Sequence, residues 1–330
     1  MQKDRTGPVA VTSGDPGGVG LELTVRAYAA LGARTPFVML ADRQHVAAVA
    51  GGVPIIEIGA PEEACAAALH GLPLVHVAFG SPARQGMSNP HHFPGILHAL
   101  ELATAWALAG RVAGISTNPA PKSVFLGSSA PAPGHTEWLA AQTGCPLPVM
   151  LMTNAALRVA TVTTHMALRA VPDQILEDRI ETVIRILFRA MQSDFMIRNP
   201  CIGVTGLNPH AGESGALGVE EDRIIAPVIA RLSAEGLSVL GPLPADSIFA
   251  YRHRKAFDAV LCMYHDQALI PVKTLDADDT VNVTLGLPIV RTSPGHGTAL
   301  DLAGTGRAHP GPLIHSIRLA GRIGQNRQMA

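Results

Sequence analysis

Short apolar runs alternate with helix-spaced patterns along most of the chain. Val9–Thr12, Phe37–Leu40, Leu74–Val77, Val112–Ser116, Val149–Met152, Leu157–Val162, Ile202–Thr205 and Ala259–Met263 are continuous apolar stretches of strand length. Such runs suit strands that are buried on both faces. Between them, Leu21–Leu31, Ile96–Gly110, Ile175–Met191 and Val219–Ser233 place apolar residues at intervals of three and four, the spacing of an amphipathic helix. Asp173, just after Pro172, is the expected cap of the third helix. The alternation predicts an α/β fold with a largely parallel sheet covered by helices. No repeat, low-complexity tract or linker interrupts it, so a second lobe would be joined by strands that cross between lobes.

Composition narrows the class. The 330 residues are 47% hydrophobic and 15% charged, with a formal net charge of −1. A chain of this length can bury a large core as one large domain or two lobes. The near-neutral charge argues against a general affinity for nucleic acid or an anionic membrane. Cys65, Cys145, Cys201 and Cys262 are widely spaced and form no CxxC, which is expected of buried free thiols in a reducing compartment. The opening Met1–Arg5 leads directly into a strand-like run, and Gly95–Ile115, the most membrane-like stretch, is broken by His98, Glu101 and Arg111. The expectation is a cytoplasmic protein.

Sites in parallel α/β sheets lie beyond the carboxyl ends of the strands. Three histidines stand there: His165 after Val159–Thr164, His210 after Ile202–Thr205 and a Gly206–Pro209 loop, and His265 after Leu261–Tyr264. Neutral imidazoles suit Zn²⁺, Co²⁺ or Ni²⁺ and leave a coordination position for substrate. With 14 histidines and no HExxH, spacing alone leaves surface or hydrogen-bonded histidines as the plainer reading. Lys273, Asn282 and Arg291 form a second, basic constellation, with Arg291 directly after the strand-like Leu285–Val290. Such a set can clamp phosphate or carboxylate, or be solvated surface charge.

Three further segments carry weaker signals. Ser13–Gly20 is a glycine-rich strand-to-helix turn, neither GxGxxG nor a Walker motif, whose amides could hold an anion. Gly134-His135-Thr136-Glu137 follows a Pro-Gly turn and reads as a helix start capped by Thr136. The segment His296–Gly304 is bounded by glycines that permit close approach to a ligand.

Taken in order, Gly206–Glu213, Gly241–Asp246, Met263–Gln267, Asn282–Pro288 and His296–Gly304 resemble the PdxA family of 4-hydroxythreonine-4-phosphate dehydrogenases of vitamin B6 synthesis. Gly14–Gly20, Gly134–Glu137 and Thr163-Thr164-His165 extend the resemblance over nearly the whole chain. It implies a metal held by His165, His210 and His265, and substrate bound by His135, Thr136, Lys273, Asn282 and Arg291. The metal would be one Zn, Co or Mg ion per site. The resemblance also implies a homodimer with shared active sites and an isopropylmalate-dehydrogenase-like fold. The lobes expected are about 1–130 plus 290–330, and about 131–289, with the site in the cleft between them at the dimer interface. NAD, or alternatively NADP, would lie against His296, Gly297 and Asp301 rather than on the first glycine-rich turn. Asp15 and Gly17 replace the more common Glu and Ala, and Val124–Pro133 departs from the family pattern.

The implied reaction is oxidation of 4-phosphooxy-threonine to 2-amino-3-oxo-4-phosphooxybutanoate, a β-keto acid that decarboxylates to 3-amino-2-oxopropyl phosphate. Asp246 and Asp266 are the candidate general bases. Threonate or erythronate 4-phosphate, or a dihydrodiol carboxylic acid, are alternative substrates. A metal-dependent hydrolase using the same histidines is a competing class, and a phosphate-binding protein without turnover is another.

Overall fold

The computed structural model describes residues 7–127 and 131–330. The opening Met1–Arg5, and Ser128–Ala130 within the divergent Val124–Pro133 stretch, lie outside the described residues. The chain divides into two compact units, Met1–Pro148 with Leu287–Met329, and Val149–Gly286.

In chain order the first unit contributes β1 (Val9–Thr12), β2 (Phe37–Ala41), β3 (Ile55–Glu57), β4 (Leu72–His76) and β5 (Gly114–Thr117). The second contributes β6 (Val149–Thr153), β7 (Arg158–Thr161), β8 (Cys201–Thr205), β9 (Ser238–Leu243), β10 (Ala259–Cys262) and β11 (Val281–Leu285). The chain then returns to the first unit with β12 (Arg291–Pro294).

The strands of the first unit lie in the order β3-β4-β2-β1-β5-β12, and every pairing among them is parallel. Ala10, Val38, Leu40 and Ile115 share one core with Ile96, Ala99, Leu100 and Ala103 of the helix Phe93–Leu108. The C-terminal helix Gly311–Met329 packs against β1, β5 and β12. There the Ser316 and Ser116 hydroxyls lie 2.8 Å apart, and Thr292 Oγ1 donates to Ser316 O at 3.0 Å.

This unit is larger at its first boundary than the sequence reading set it. Residues 131–148 belong to it, not to the second lobe. Trp138, Leu139 and Ala140, on the helix His135–Thr143, are buried in the same core as Leu287 and Ile289. Truncating an indole buried in this way costs about 3–5 kcal/mol, so the helix is bound to this core by packing.

The second unit runs β11-β6-β7-β10-β8-β9. Strand β6 is antiparallel to both β11 and β7, while β7, β10, β8 and β9 are mutually parallel. Asn154 makes the β6–β7 turn: its side-chain oxygen accepts from the amides of Ala156 and Leu157, each at 3.0 Å. Its amide nitrogen donates to Val272 O at 2.9 Å, fastening the end of the helix His265–Leu275. The helix Glu177–Ser193 buries Ile180, Val183, Ile184, Leu187 and Met191, as its spacing predicts. Its first turn is not capped by Asp173: the cap position is Leu176, and Asp173 lies in a separate short turn, Pro172–Gln174. The helix expected over Val219–Ser233 opens as a π turn, Glu221–Ile225, before Ala226–Ala234 becomes α.

All four cysteines are free. Only Cys262 is buried, and Cys65 is exposed, so burial of all four thiols is not met. Among the described residues no helix is long and apolar enough to cross a membrane.

Candidate active site

In the second unit, β7, β10 and β8 are adjacent and parallel, with Cys262 level with Thr161 and Leu261 level with Val204. Their carboxyl ends therefore lie along one edge, and each continues into one of the three expected histidines. His165 follows β7 by four residues, His265 begins the helix that succeeds β10, and His210 lies in the loop after β8. His265 is thus a helix residue and not a loop residue.

The His165 and His265 ring centroids are 5.2 Å apart. Two imidazoles on one tetrahedral ion place their centroids roughly 5 Å apart, so this pair fits two ligand positions. Asp266 Oδ1 lies 2.6 Å from His265 Nδ1. In the tautomer with its proton on Nδ1, the ring donates to this carboxylate and leaves its Nε2 lone pair for a ligand, the usual way an outer carboxylate orients a ligand histidine. Asp266, expected as a general base, is bonded to His265 through one carboxylate oxygen.

His210 does not complete a gathered triad. Among the described residues no three His, Cys, Asp or Glu side chains stand close enough to hold a metal. The reason lies in the loop. His210, Ala211, Gly212, Glu213 and Ser214 all have positive φ, between 44° and 79°, a rare run for side chains other than glycine. The turn is fixed by Glu221, whose Oε1 accepts from the amides of Leu207 and Asn208, both at 2.7 Å. Its Oε2 accepts from Asn208 Nδ2 at 2.9 Å. His210 sits exposed at the head of that turn.

Lys273 lies exposed in the last turn of the helix His265–Leu275, where a cation also favours the helix end. Asn282 lies on β11 opposite Met152. Its side-chain oxygen is buried and has no hydrogen-bond partner among the described residues. An orphaned acceptor of this kind is costly unless a ligand supplies a donor. Asp246 is exposed in the short helix Ala245–Ile248 that follows β9.

The first unit holds Arg291, His135 and Thr136, three of the residues expected to bind substrate. Arg291, expected to follow a strand, instead opens β12, because the apolar run before it breaks at Gly286 and Leu287–Val290 is core rather than strand. Arg291 is 4% exposed. The Thr117 hydroxyl accepts from its Nη2 at 2.8 Å and its Nε at 3.2 Å. Burial pushes its pKa down to about 10, with the Glu137 carboxylate pulling the other way, so it stays charged near neutrality. His135 begins its helix, with Gly134 at the cap position and Thr136 in the first turn rather than at the cap. The N-terminus of this helix and the Arg291 cation both favour an anion.

Burial, and then the positive charge of Arg291, push the His135 imidazole from its usual 6.5 down to about 3. Its ring packs on Phe125 with centroids 4.5 Å apart. Near neutrality it offers a hydrogen bond and no charge. The unfolded chain protonates this side chain below 6.5 and the folded chain only below about 3. Its contribution is therefore fully present above 6.5 and is lost as pH falls toward 3. Replacing His135 with Gln should make stability less sensitive to acid, read as the drop in urea midpoint between pH 7 and pH 4.5. Equal drops in both proteins would contradict the assignment.

The glycine-rich turn and the His296–Gly304 segment are neighbours in the same unit, not alternatives. Val19 N donates to Thr298 O at 3.0 Å, and Gly304 N donates to Glu22 Oε2 at 3.0 Å. The glycines are demanded by protein packing: a Cβ on Gly17 would stand 2.0 Å from Met87 O, and one on Gly18 would stand 2.7 Å from Thr298 O. Gly297 has open space where a Cβ would be, and His296 Nε2 is buried without a partner among the described residues. Asp301 is exposed. The open approach in this segment is thus at His296-Gly297.

Two features escaped the sequence reading: the Glu221 clamp and Gln267, whose hydrogen bonds join strand ends far apart in sequence. The π turn at Glu221 interrupts the helical spacing there, which is the one local sign of it.

A family model described as pyridoxal phosphate biosynthetic protein PdxA matches residues 33–320. A 4-hydroxythreonine-4-phosphate dehydrogenase of Caulobacter vibrioides is 43% identical over 327 residues, covering 97% of this chain and 98% of its own. The crystal structure of a 4-hydroxythreonine-4-phosphate dehydrogenase from Klebsiella pneumoniae is similar with a TM-score of 0.87 at 36% identity, covering 97% of this chain and 98% of that one. A terephthalate 1,2-cis-dihydrodiol dehydrogenase from Burkholderia xenovorans is similar with a TM-score of 0.67 at 28% identity, covering 96% and 98%.

Proposed function

The chain belongs to the PdxA family, and from that premise we propose that it is a 4-hydroxythreonine-4-phosphate dehydrogenase using NAD and one divalent cation. It is an oxidoreductase acting on a CH–OH group. The observation that carries the substrate assignment is the buried, charged Arg291 beside the N-terminus of the helix His135–Thr143. That pairing suits a dianionic phosphate better than a neutral group.

His165 and His265 would hold the cation, with His210 as the third ligand. When bound, the cation supplies Lewis-acid polarisation of the C3 oxygen, and NAD⁺ supplies the hydride acceptor. The residues do the rest. Arg291, Thr136 and the helix N-terminus bind the phosphate, with Lys273 adding a second positive charge. Asn282 offers its unpartnered oxygen to an N–H or O–H of the substrate. Together these contacts fix the C3 carbon in one orientation. Asp246 is the remaining candidate to take the C3 hydroxyl proton, since Asp266 is engaged by His265. Loss of that proton and of the C3 hydride leaves a β-keto acid, which releases CO₂. His296, Gly297 and Asp301 would lie along the dinucleotide. The active form would be a homodimer with shared sites.

The similarity to a dihydrodiol dehydrogenase supports a second reading, oxidation of an unphosphorylated cyclic diol acid. The test is NADH formation with 4-hydroxythreonine 4-phosphate, threonate 4-phosphate, erythronate 4-phosphate and a cis-dihydrodiol carboxylic acid. The highest kcat/KM is expected for the first. Turnover of the dihydrodiol alone would overturn the assignment, and substrate consumption without NADH would point to a hydrolase.

A further inference from the structure

We propose that Gln267 is a positioning residue that sets the spacing of the three strand ends bearing His165, His210 and His265. The inference rests on the reading of those histidines as ligands of one cation. Gln267 lies two residues after His265 in the first turn of the same helix. Its side-chain oxygen accepts from Met263 N at 2.7 Å and from Thr205 Oγ1 at 2.7 Å. Its amide nitrogen donates to Gly206 O at 2.8 Å. One side chain therefore holds the end of β10 and the end of β8, from which the His210 loop departs. The third strand joins through Met263, whose carbonyl accepts from Thr163 N at 3.2 Å and Thr163 Oγ1 at 2.8 Å. Thr163 precedes His165 by two residues.

The choice of amide follows from this pattern. The three bonds need two acceptor lone pairs and one N–H on the same planar group. A glutamate of the same shape would set an oxygen against the Gly206 carbonyl, and an apolar side chain would satisfy none of the three. Parallel strands in register already align the three ends, but the loops beyond them are not part of the ladder. Gln267 extends the alignment past the last ladder bonds, to the residues from which the ligand loops depart. Outer groups that fix ligand orientation in this way are worth roughly 10–100-fold in metal affinity.

The experiment is Co²⁺ binding to the full-length protein, followed by visible absorption and by calorimetry, for wild type, Gln267→Met, Thr205→Val and Thr205→Ser. Gln267→Met is expected to bind Co²⁺ about 10–100-fold more weakly. Thr205→Val, which keeps shape and loses the hydroxyl, should also weaken binding, and Thr205→Ser should restore it. KM for NAD should stay unchanged in variants given saturating metal, which a general loss of structure would not allow. If Gln267→Met fails to fold, the Thr205 pair decides the matter alone. Variants that all bind Co²⁺ within twofold of wild type would overturn the role of Gln267. A wild type that binds no Co²⁺ would instead overturn the metal reading on which it rests.

Discussion

Replacing His210 with alanine should reduce turnover by at least about 10³-fold, equivalent to roughly 4 kcal/mol of lost transition-state stabilisation, while leaving the chain folded. The two halves of this expectation have separate causes. His210 is exposed and packs into no core, so its removal leaves no cavity. The left-handed backbone at position 210 strains alanine more than histidine, at a cost of about 1 kcal/mol that leaves the fold intact. The turn that carries it is held by the carboxylate of Glu221 through backbone amides, which the substitution does not touch. The loss of activity arises instead from the site. In the proposed site His165 and His265, with ring centroids 5.2 Å apart, are two of three ligands, and two without the third would hold the cation weakly. Steady-state NADH formation alongside a thermal melt reads both halves. A His210→Ala variant with wild-type kcat would remove this residue from the metal site, and an unfolded one would make it structural.

Loss of Arg291 should act on binding more than on the chemical step. Arg291→Ala is expected to raise KM for the phosphorylated substrate by on the order of 10²-fold, about 2.7 kcal/mol, within the range for removing one partner of a desolvated charge pair. Burial sets the size of the effect. A guanidinium that is 4% exposed has lost most of its hydration, so an arriving phosphate recovers far more than it would from a surface arginine. A phosphate contact remote from C3 would be made equally before and during hydride transfer, so kcat should fall much less than kcat/KM. Arg291→Lys should recover only part of the loss, because one ammonium cannot reproduce the two-pronged donation now made to Thr117. KM for NAD is the control. An unchanged KM for the phosphorylated substrate would take Arg291 out of the site.

Much of this arrangement is legible in the residues, and the exceptions have physical reasons. Buried parallel strands are written as continuous apolar runs, so the ends of β7, β8 and β10, and with them the three histidines, could be placed from the sequence. Leu285–Val290 misleads for the same reason: Leu287 and Ile289 are apolar because they join the core of the first unit, not because they form a strand. The helix His135–Thr143 gives no clear sign of its unit, since Trp138, Leu139 and Ala140 are consecutive rather than periodic. The C-terminal helix Gly311–Met329 is obscured by Pro312, Gly321 and Gly324. Gly324 is required there, because a Cβ would stand 2.4 Å from Ala113 O. The contacts of Glu221 and Gln267 depend on loops that only the folded sheet brings together. A motif search finds these side chains but not their hydrogen-bond partners.

Oxidation should require the cation. The deciding measurement is the rate of NADH formation from 4-hydroxythreonine 4-phosphate by chelator-treated enzyme, titrated with Co²⁺. The rate should rise from near zero and level off at one ion per chain, with no rise in the His210→Ala variant. Full NADH formation by the metal-free enzyme would contradict a requirement for the cation.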